Sequence, residues 1–380
     1  MSIIRPFRAF RPAQDLASSI AALPYDVYDS REARRIVEAK PMSFLKIDRA
    51  ETLLPEGTDI YSKKVYETAR HTLDKMIWDG SFIQDETDCY YVYALTMRGR
   101  TQTGLVGCAS IDDYLNGVIL RHENTLETKE QDRIRHIDAC SAQTGPIFLT
   151  HRPDEDLRHI LNRISQGPAL YDFTSEDGIR HQVWKIQSAE DIADISRLCG
   201  QMNHLYIADG HHRAASAVKV GLARKSADPN SSSMEEYNFF LSVLFPSDEL
   251  KIYGYDRIVT DKNGYTTESF FDKIKDGFNI IGTGNKPLRP SRKGDFGIYC
   301  GGAWYRLSAK PALISDDPVK GLDVSILQDH ILAPVLGIHD PKTDPRIRFI
   351  GEIKGFSALE QAADESGGIA FSMYPTSMDE

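Results

Sequence analysis

The sequence lacks the long apolar runs of secreted and membrane proteins. Within its 380 residues, no stretch approaches the roughly 20 consecutive apolar residues that span a bilayer. The first ten residues carry Arg5 and Arg8 but no apolar run of signal-peptide length. We therefore expect a cytoplasmic protein without a membrane partner.

Cysteine and net positive charge are also scarce. The five cysteines are odd in number, far apart and free of any C-x-x-C spacing, which indicates reduced thiols in the core of a cytosolic protein. The formal net charge is −10, and the lysines and arginines are scattered along the chain. This charge balance argues against a nucleic-acid partner, although a local cluster of donors can still hold a small anionic ligand.

Several catalytic and binding motifs are missing as well. The chain has no P-loop, no dinucleotide-binding glycine fingerprint, no protein-kinase catalytic loop, no G-x-S-x-G nucleophile elbow and no H-E-x-x-H zinc motif. These absences exclude the P-loop enzymes and the ordinary protein kinases. Any chemistry must therefore come from other patterns.

The composition is that of a folded protein with more than one domain. Apolar residues make up 41% of the chain, enough for a sizeable core, and the length suits two or three domains. Helix and strand patterns are mixed, and the strands are too irregularly spaced for a TIM barrel, so we predict an α+β fold with mixed sheets. The polar stretch 225–236 is the best linker candidate. We place the domain boundary within it, between a domain at 1–232 and a second α+β domain at 233–380.

Periodicity predicts several individual elements of this fold. Helical spacing of apolar residues marks 59–78, 188–202 and 322–335. Two strands at 90–97 and 103–109 are joined through a short glycine-containing turn, which predicts a hairpin.

One segment combines an apolar strand, a glycine and four polar side chains in a single turn. A strand at 205–208 is followed by Asp209-Gly210-His211-His212-Arg213 and then by an alanine-rich helix from Arg213 to residue 224. Gly210 permits a tight turn and close approach of a ligand to the backbone. The unpaired N–H groups and the dipole of a helix start favour an anion, and Arg213 can grip a phosphate through two hydrogen bonds. The segment therefore predicts a phosphate site.

Two other interpretations of this turn stay open. Asp209 can simply cap the helix while His211 and His212 make local hydrogen bonds. The two histidines can also bind zinc, although adjacent residues at a helix start point apart. The phosphate interpretation requires that the turn is open to solutes.

A second polar cluster follows the apolar residues 118–120. It reads Arg121-His122-Glu123-Asn124-Thr125 and leads into a charged helical stretch at 127–140. Glu123 is a candidate general base or Mg²⁺ ligand, since Mg²⁺ usually takes one or two carboxylates together with phosphate oxygens. The charges of the stretch also fit a solvated helix in which Glu127 and Glu130 pair with neighbouring lysines and arginines.

Two weaker clusters have an open role. Pro24-Tyr25-Asp26 places Asp26 either at a site or at the cap of the next turn. The stretch 340–349 is dense in charge and punctuated by prolines, which fits an ordered functional loop or a surface loop with ion pairs.

Together these motifs resemble the family known as domain of unknown function 1015 (DUF1015). The residues that carry the resemblance are Pro24-Tyr25-Asp26, Arg121-His122-Glu123-x-Thr125, Lys129-Glu130-x-Asp132-Arg133, Ala208-Asp209-Gly210-His211-His212-Arg213, and Leu336-Gly337-Ile338 with Thr343-Asp344-x-Arg346-Ile347. They extend over nearly the whole chain. The function of this family is not established, so the resemblance implies no activity. Members of the family are expected to continue beyond Glu380.

The turn at 209–213 also resembles the phosphate-binding turn of the ParB/sulfiredoxin superfamily. That superfamily includes nucleotide-dependent free-serine kinases, sulfiredoxins and CTP-binding chromosome-partition proteins. The resemblance implies contacts to nucleotide phosphates, with Mg²⁺ bridging, from Asp209, His211, His212 and Arg213. In the serine kinases a carboxylate near the amino acid acts as the base, and Asp26 and Glu123 are the candidates here. Sulfiredoxins need a cysteine in the turn, where this chain has histidine, which disfavours sulfinic-acid reduction.

The sequence thus predicts a phosphotransferase that uses ATP or ADP with Mg²⁺ on a small hydroxyl acceptor such as free serine. The predicted catalytic residues are Asp209, His212, Glu123 and Asp26. The predicted nucleotide-binding residues are Gly210, His211, His212 and Arg213, and the predicted metal ligands are Asp209 and Glu123. The alternatives are a non-catalytic nucleotide-binding regulatory module and a metal-dependent hydrolase. We expect a nucleotide and a small-molecule substrate as partners, leave a homo-oligomer open, and predict no role for the second domain.

Overall fold

A computed structural model describes residues 1–123, 125 and 127–380 of the chain. The chain divides into two compact units, Met1–Leu250 and Lys251–Glu380, which we call the N-terminal unit and the C-terminal unit. The predicted boundary at residue 232 is corrected to residue 250. The reason is that the strand Phe239–Pro246, which follows the polar stretch, is hydrogen-bonded inside the sheet of the N-terminal unit.

The N-terminal unit is built from short and long elements of both kinds. Its strands are β1 (Ile4–Arg5), β2 (Phe10–Pro12), β3 (Phe82–Gln84), β4 (Tyr90–Met97), β5 (Arg100–Ser110), β6 (Ile119–Leu120), β7 (Ile147–His151), β8 (Tyr171–Thr174), β9 (Arg180–Ile186), β10 (Leu205–Asp209) and β11 (Phe239–Pro246). Its helices are α1 (Ala17–Ile20), α2 (Ser30–Ala39), α3 (Leu45–Asp48), α4 (Lys63–Trp78), α5 (Ile111–Leu115), α6 (Glu127–Cys140), α7 (Glu155–Ser165), α8 (Ala189–Gln201) and α9 (His211–Ala227).

A mixed sheet forms the centre of the N-terminal unit. Its strand order is β6-β10-β7-β11-β5-β4-β9-β8, and β1 pairs with β5. The pairs β6–β10 and β7–β11 are parallel, and the other pairs are antiparallel. Buried apolar residues of these strands pack with those of α7, α8 and α9 in one hydrophobic core. A second apolar cluster joins α4 to α3 and to the end of α6.

The predicted hairpin is present in this sheet. β4 and β5 pair from Tyr91–Val106 to Met97–Arg100, and the two residues between them, Arg98 and Gly99, both have positive φ angles. A two-residue turn with positive φ at both positions matches the right-handed twist of the strands.

The C-terminal unit contains one antiparallel sheet covered on both faces. Its strands are β12 (Tyr255–Val259), β13 (Phe278–Gly284), β14 (Asp295–Cys300), β15 (Ala303–Ala309), β16 (Ile347–Gly351) and β17 (Ile369–Met373), in the order β13-β15-β14-β17-β12-β16. Its helices are α10 (Thr267–Ile274), α11 (Asp323–Leu327) and α12 (Phe356–Ser366). One apolar cluster joins the sheet to α10 and α11, and another joins it to α12.

The α+β prediction is confirmed, since both units combine helices with sheets of mixed or antiparallel strands. All five cysteines are free and buried, as predicted. Within the described residues, none of the helices combines the length and apolar character needed to cross a membrane.

Some element boundaries differ from the predictions. Helix α9 begins at His211 rather than Arg213, because Gly210 turns the chain directly out of β10. The helix predicted at 322–335 is the short helix α11 followed by a π-helical turn, Gln328–Leu332. Part of the stretch at 340–349 belongs to strand β16, which pairs with β12.

Candidate functional site

Strand β10 leads directly into helix α9 through Gly210. This glycine has φ 93° and ψ 32°, a left-handed conformation that costs a residue with a side chain considerably more than glycine. The N–H of Ala214 donates to the carbonyl of Gly210 at 2.9 Å, so the helix starts at once. The N-cap position makes no side-chain hydrogen bond to the first turn. Because the first N–H groups of a helix have no partner within it, the start of α9 can offer them to a ligand.

Arg213 folds back over this helix start. Its Nη2 donates to Asp209 Oδ2 at 2.6 Å, and its Nη1 donates to the carbonyl of Pro146 at 2.5 Å. A Cβ at Gly210 would lie only 3.0 Å from Arg213 Nε, so the glycine makes room for the guanidinium as well as for the turn. The side chain of Asp209 is 68% exposed. The strand end thus presents an ion pair in which the carboxylate faces solvent.

A cleft of about 420 Å³ opens beside this ion pair. Its walls are formed by residues 22–25, 143–148, Phe44, Asp48, Tyr93, Leu95, Arg133, His136, Ile137, Ile179, His181, Asp209, Arg213 and Val243. The volume lies within the range of about 300–1,000 Å³ that is usual for small-molecule sites. Three of the sequence motifs therefore meet at one cleft, through Tyr25, Arg133 and the turn at 209–213. Of the turn, Asp209 and Arg213 line the cleft.

Arg133 is the most buried charged side chain that the motifs contribute to the cleft wall. It is 6% exposed, and its guanidinium lies 4.0 Å from the centre of the Tyr25 ring. Nε and Nη2 of Arg133 donate to Asp132 Oδ2 at 3.0 and 2.8 Å, while Tyr66 donates to the other oxygen of Asp132. Burial opposes the charge of Arg133, but the nearby carboxylates of Asp132 and Asp48 raise its pKa, so it stays a cation.

The segment that carries Tyr25 is fixed by Arg49. Nη1 of Arg49 donates to the carbonyls of Tyr25 and Tyr28 at 3.0 and 2.7 Å, and Nη2 donates to Ser30 Oγ. Burial raises the pKa of the Tyr25 hydroxyl, so the ring is a neutral surface beside the guanidinium. Asp26, the next residue, is exposed.

Glu123 and His211 bring the second motif to the turn. His211 is 6% exposed; its Nδ1 lies 3.6 Å from Glu123 Oε2, and its ring packs edge-on against His122 with centroids 4.5 Å apart. Burial and the neighbouring His122 lower the pKa of His211, so its ring is neutral at pH 7. The end of β6 is thus attached to the start of α9 through this histidine. Asn124, in the same motif, lies outside the described residues.

Glu130 is not a solvated residue of α6, and that alternative is wrong at this position. It is 4% exposed, its Oε1 accepts a hydrogen bond from Lys219, and its Oε2 accepts one from Thr125 at 2.7 Å. Burial opposes ionisation, but the hydrogen bonds from Lys219 and Thr125 hold the pKa of Glu130 below its ordinary value. Ser216 Oγ also donates to the Glu130 carbonyl at 3.1 Å. Helices α6 and α9 pack side by side, and Glu130 links them through its bonds to Lys219 and Ser216 of α9.

The predicted site residues divide into two groups. Asp209 and Arg213 line the cleft, whereas the described cleft walls do not include the side chains of Asp26, Glu123, His211 or His212. His212 is half-buried. Asp209 and Arg213 are thus the residues of the turn that lie at the cleft, while His211 lies towards the end of β6.

Several cleft residues carried no signal that a motif search detects. Asp48, Thr144, His136, Tyr93 and His181 come from α3, the loop before β7, α6, β4 and β9. Thr144 Oγ1 donates to Asp48 Oδ1 at 2.6 Å, and the hydroxyl of Tyr93 is hydrogen-bonded to His181 Nδ1 at 2.7 Å. The position of His136 three residues after Arg133 is the one available clue, since such residues share a helix face.

The last motif lies in the C-terminal unit and has structural contacts. Nη1 and Nη2 of Arg346 donate to the carbonyls of Leu336 and Gly337, both at 3.1 Å, and its Nη2 donates to Asp344 Oδ2 at 2.8 Å. These bonds tie the loop before β16 to the turn that follows the π-helical segment.

Among the described residues, no group of three or more His, Cys, Asp or Glu side chains is arranged to hold a metal ion. Asp209 and Glu123, the two predicted metal ligands, both have largely exposed carboxylates, at 68% and 61% of the side chain.

Comparison with known proteins identifies a family. The profile described as "Protein of unknown function (DUF1015)" matches residues 4–325. The match contains the motifs of the N-terminal unit and ends before the motif at 336–347. No curated protein matches the sequence.

Two solved structures show a low similarity to this chain. A conserved hypothetical protein from Pyrococcus furiosus has 11% identity and a TM-score of 0.32, and the alignment covers 71% of this chain and 80% of that one. A mutant free serine kinase in complex with AMP has 13% identity and a TM-score of 0.31, with 75% and 78% covered. Similarity at this level does not identify a function.

Proposed function

The chain belongs to the DUF1015 family of proteins of unknown function, and from its site we propose that it transfers a phosphoryl group from ATP or ADP to a small molecule that carries a hydroxyl group. The observation that supports this proposal is the start of α9 next to Arg213 and Asp209, two residues that line the cleft. Phosphoryl transfer depends on positioning and charge stabilisation, which such a site supplies. The resemblance of this turn to the phosphate-binding turn of the ParB/sulfiredoxin superfamily supports the same proposal.

The proposed phosphate contacts come from backbone and side chain together. The N–H groups in the first turn of α9 point out of the helix, where the helix dipole favours negative charge. Gly210 leaves room for the Arg213 guanidinium beside this turn because it has no side chain. Arg213 is already held by Asp209 and Pro146, so its guanidinium is pre-positioned for a charged ligand. The His212 side chain remains a proposed donor to a phosphate oxygen.

Mg²⁺ fits the chemistry of these residues. Such ions take one or two carboxylates, keep several waters and bind phosphate oxygens. Asp209 supplies an exposed carboxylate next to the proposed phosphate site, and its Oδ2 is the oxygen bonded to Arg213. Asp209 is therefore the proposed metal ligand at the cleft, and Glu123 is a second proposed ligand. When bound, the ion would neutralise negative charge on the phosphates.

The resemblance to the serine kinases implies that the base is a carboxylate near the acceptor. Asp26 adjoins Tyr25 on the cleft wall, and Glu123 adjoins His211 at the turn. Either group would take the proton of the acceptor hydroxyl as the new bond to phosphorus forms.

Turnover is the test of this proposal. The protein is incubated with ATP or ADP, Mg²⁺ and L-serine, and a new phosphomonoester is followed by ³¹P NMR, with L-alanine as the control that lacks the hydroxyl. A parallel thermal-shift series measures nucleotide binding, since a ligand at about 100 times its Kd adds roughly 2.7 kcal/mol of stability. Saturable nucleotide binding without consumption of nucleotide, over a range of hydroxyl acceptors, would favour the regulatory module. Stoichiometric zinc in the purified protein would favour the hydrolase.

A further inference from the structure

A buried histidine on the cleft wall lies outside the predicted site. His136 is 2% exposed and belongs to α6, three residues after Arg133, so the two side chains lie on the same face of the helix. Its ring lines the cleft together with Asp48 and Thr144.

The hydrogen bonds of His136 fix the position of its proton. Its Nε2 lies 3.0 Å from the carbonyl oxygen of Ile47. A carbonyl oxygen only accepts hydrogen bonds, so Nε2 must carry the hydrogen. In a neutral ring the Nδ1 atom then holds a lone pair and is an acceptor.

That acceptor is left unsatisfied by the part of the chain that the structure describes. Nδ1 of His136 is buried and lacks a hydrogen-bond partner among the described residues. A buried polar atom without a partner is unfavourable, and such atoms in native proteins usually have a partner or a functional role. The ring borders the cleft although Nδ1 itself is covered, so a ligand that shifts the cleft wall slightly can supply the missing donor.

We propose that His136 Nδ1 accepts the hydrogen bond of the acceptor hydroxyl and takes its proton during phosphoryl transfer. This role rests on the proposed function. The hydroxyl oxygen forms a bond to the terminal phosphorus of the nucleotide, and the bond between that phosphorus and the bridging oxygen breaks. Its electron pair leaves on the shortened nucleotide, while the hydroxyl proton passes to Nδ1. Asp48, Arg133, His136 and Thr144 then form the acceptor part of the cleft.

The surroundings of His136 favour a neutral ring that can take a proton. Burial and the positive charge of Arg133 lower the pKa of His136, while Asp48 and Asp132 act in the opposite direction. The titratable and charged groups near it are Asp48 from α3 and Asp132, Arg133 and Cys140 from its own helix, and Tyr66 from α4 is hydrogen-bonded to Asp132. The base must be unprotonated. Activity should therefore fall only as the pH drops below about 6.5, the ordinary pKa of histidine.

The test compares His136→Gln with the parent protein. A glutamine amide can donate to the Ile47 carbonyl in place of Nε2 but offers no base at the Nδ1 position. We expect kcat to fall by roughly 10²–10⁴-fold, the usual contribution of general base catalysis, with the Kd of the nucleotide unchanged. The acidic limb of the pH profile should also disappear in this variant. Asp26→Asn and Glu123→Gln are measured beside it, since those carboxylates are the competing bases.

The outcomes separate this role from the proposed function. Parent turnover that persists in His136→Gln, or an acidic limb that disappears in Glu123→Gln or Asp26→Asn instead, would overturn the role alone. No turnover in the parent would overturn the proposed function and this role with it. Should the variant not fold, ¹⁵N NMR of the histidine rings in the parent decides: a neutral His136 with its hydrogen on Nε2 supports the role, and a hydrogen on Nδ1 at pH 7 contradicts it.

Discussion

The two units bury charged side chains in different settings. In the C-terminal unit, Asp256 is 1% exposed and accepts hydrogen bonds from Arg289 and from the N–H of Met373, so its charge is enclosed between strands. In the N-terminal unit, Arg133 is nearly as buried, but it lines an open cleft together with His136. Burial of a charge alone therefore does not indicate a ligand site. The N-terminal unit differs because its buried Arg133 lies beside an open cleft.

The largest expected effect is on turnover and concerns Arg213. Arg213→Ala removes the guanidinium at the helix start, and we expect kcat to fall by about 10²–10³-fold, as for the loss of one transition-state contact. Arg224→Ala is the matched control, because Arg224 lies on the same helix but is bonded to Ser141 and Asp138. The check is ³¹P NMR turnover with circular dichroism of both variants. Equal turnover in Arg213→Ala and the parent would remove the phosphate role from the turn.

The next effect is on the stability of the C-terminal unit. Asp256→Ala removes the buried carboxylate that accepts hydrogen bonds from Arg289 and from the N–H of Met373, and we expect the free energy of unfolding to fall by about 3 kcal/mol. Asp272→Ala, which removes an exposed pair with Lys275, should cost less than about 1 kcal/mol. Urea unfolding measures both values, and nucleotide affinity should stay unchanged in both. A weaker affinity of Asp256→Ala for nucleotide would contradict the conclusion that the buried charge of Asp256 has no part in ligand binding.

The sequence predicts some features of the N-terminal unit better than others. The turn at 209–213 was predictable, because an apolar strand, a glycine and polar residues follow one another within a short segment. The helix α6 was predictable from its period, but the burial of Glu130 and Arg133 was not, since their partners on α9, α3 and the 24–25 segment are distant in sequence.

The cleft itself was beyond local patterns. Tyr93 and His181 lie in its wall because β4 pairs with β9. Asp48 lies there because α3 contacts α6, where His136 is hydrogen-bonded to the carbonyl of Ile47. Strand β16 was hidden for the same reason: its pairing with β12 joins residues about ninety positions apart. Such contacts follow from long-range pairing, which no short motif encodes.

A pH-dependent effect is expected at Asp323 in the C-terminal unit. Its Oδ1 accepts from the N–H of Gly294 at 2.8 Å, its Oδ2 is buried without a described partner, and burial raises its pKa to about 6. A carboxyl group with a higher pKa in the folded chain binds its proton more tightly there. The free energy of unfolding should therefore fall as the pH rises from about 4 to 6 and stay reduced above that range.

The neutral variant Asp323→Asn removes this penalty. We expect it to stabilise the protein by about 3 kcal/mol at pH 7 and by little at pH 4, since about 1.4 kcal/mol corresponds to one pKa unit. Thermal unfolding at both pH values measures the difference, with the exposed Asp317 replaced in the same way as the control. A variant that is less stable than the parent at pH 7 would contradict the raised pKa.

The smallest expected effect compares two glycines with positive φ angles. Gly210→Ala and Gly367→Ala place a side chain at φ 93° and 68°, and each should cost about 1–2 kcal/mol of stability. At Gly367 a Cβ meets open space, whereas at Gly210 it meets the Arg213 guanidinium. Calorimetric titration should therefore show weaker nucleotide binding for Gly210→Ala alone. Equal affinities in the two variants would separate Gly210 from ligand binding.

The backbone of the turn itself offers the most direct test of the account. Amide NMR of the ¹⁵N-labelled protein follows the N–H signals of His211, His212 and Arg213 during titration with ADP or ATP and Mg²⁺. The account predicts that these signals shift in a saturable way, while those of Gly294 and Met373 in the C-terminal unit do not move. Signals at 211–213 that stay in place at saturating nucleotide would show that the start of α9 does not bind phosphate.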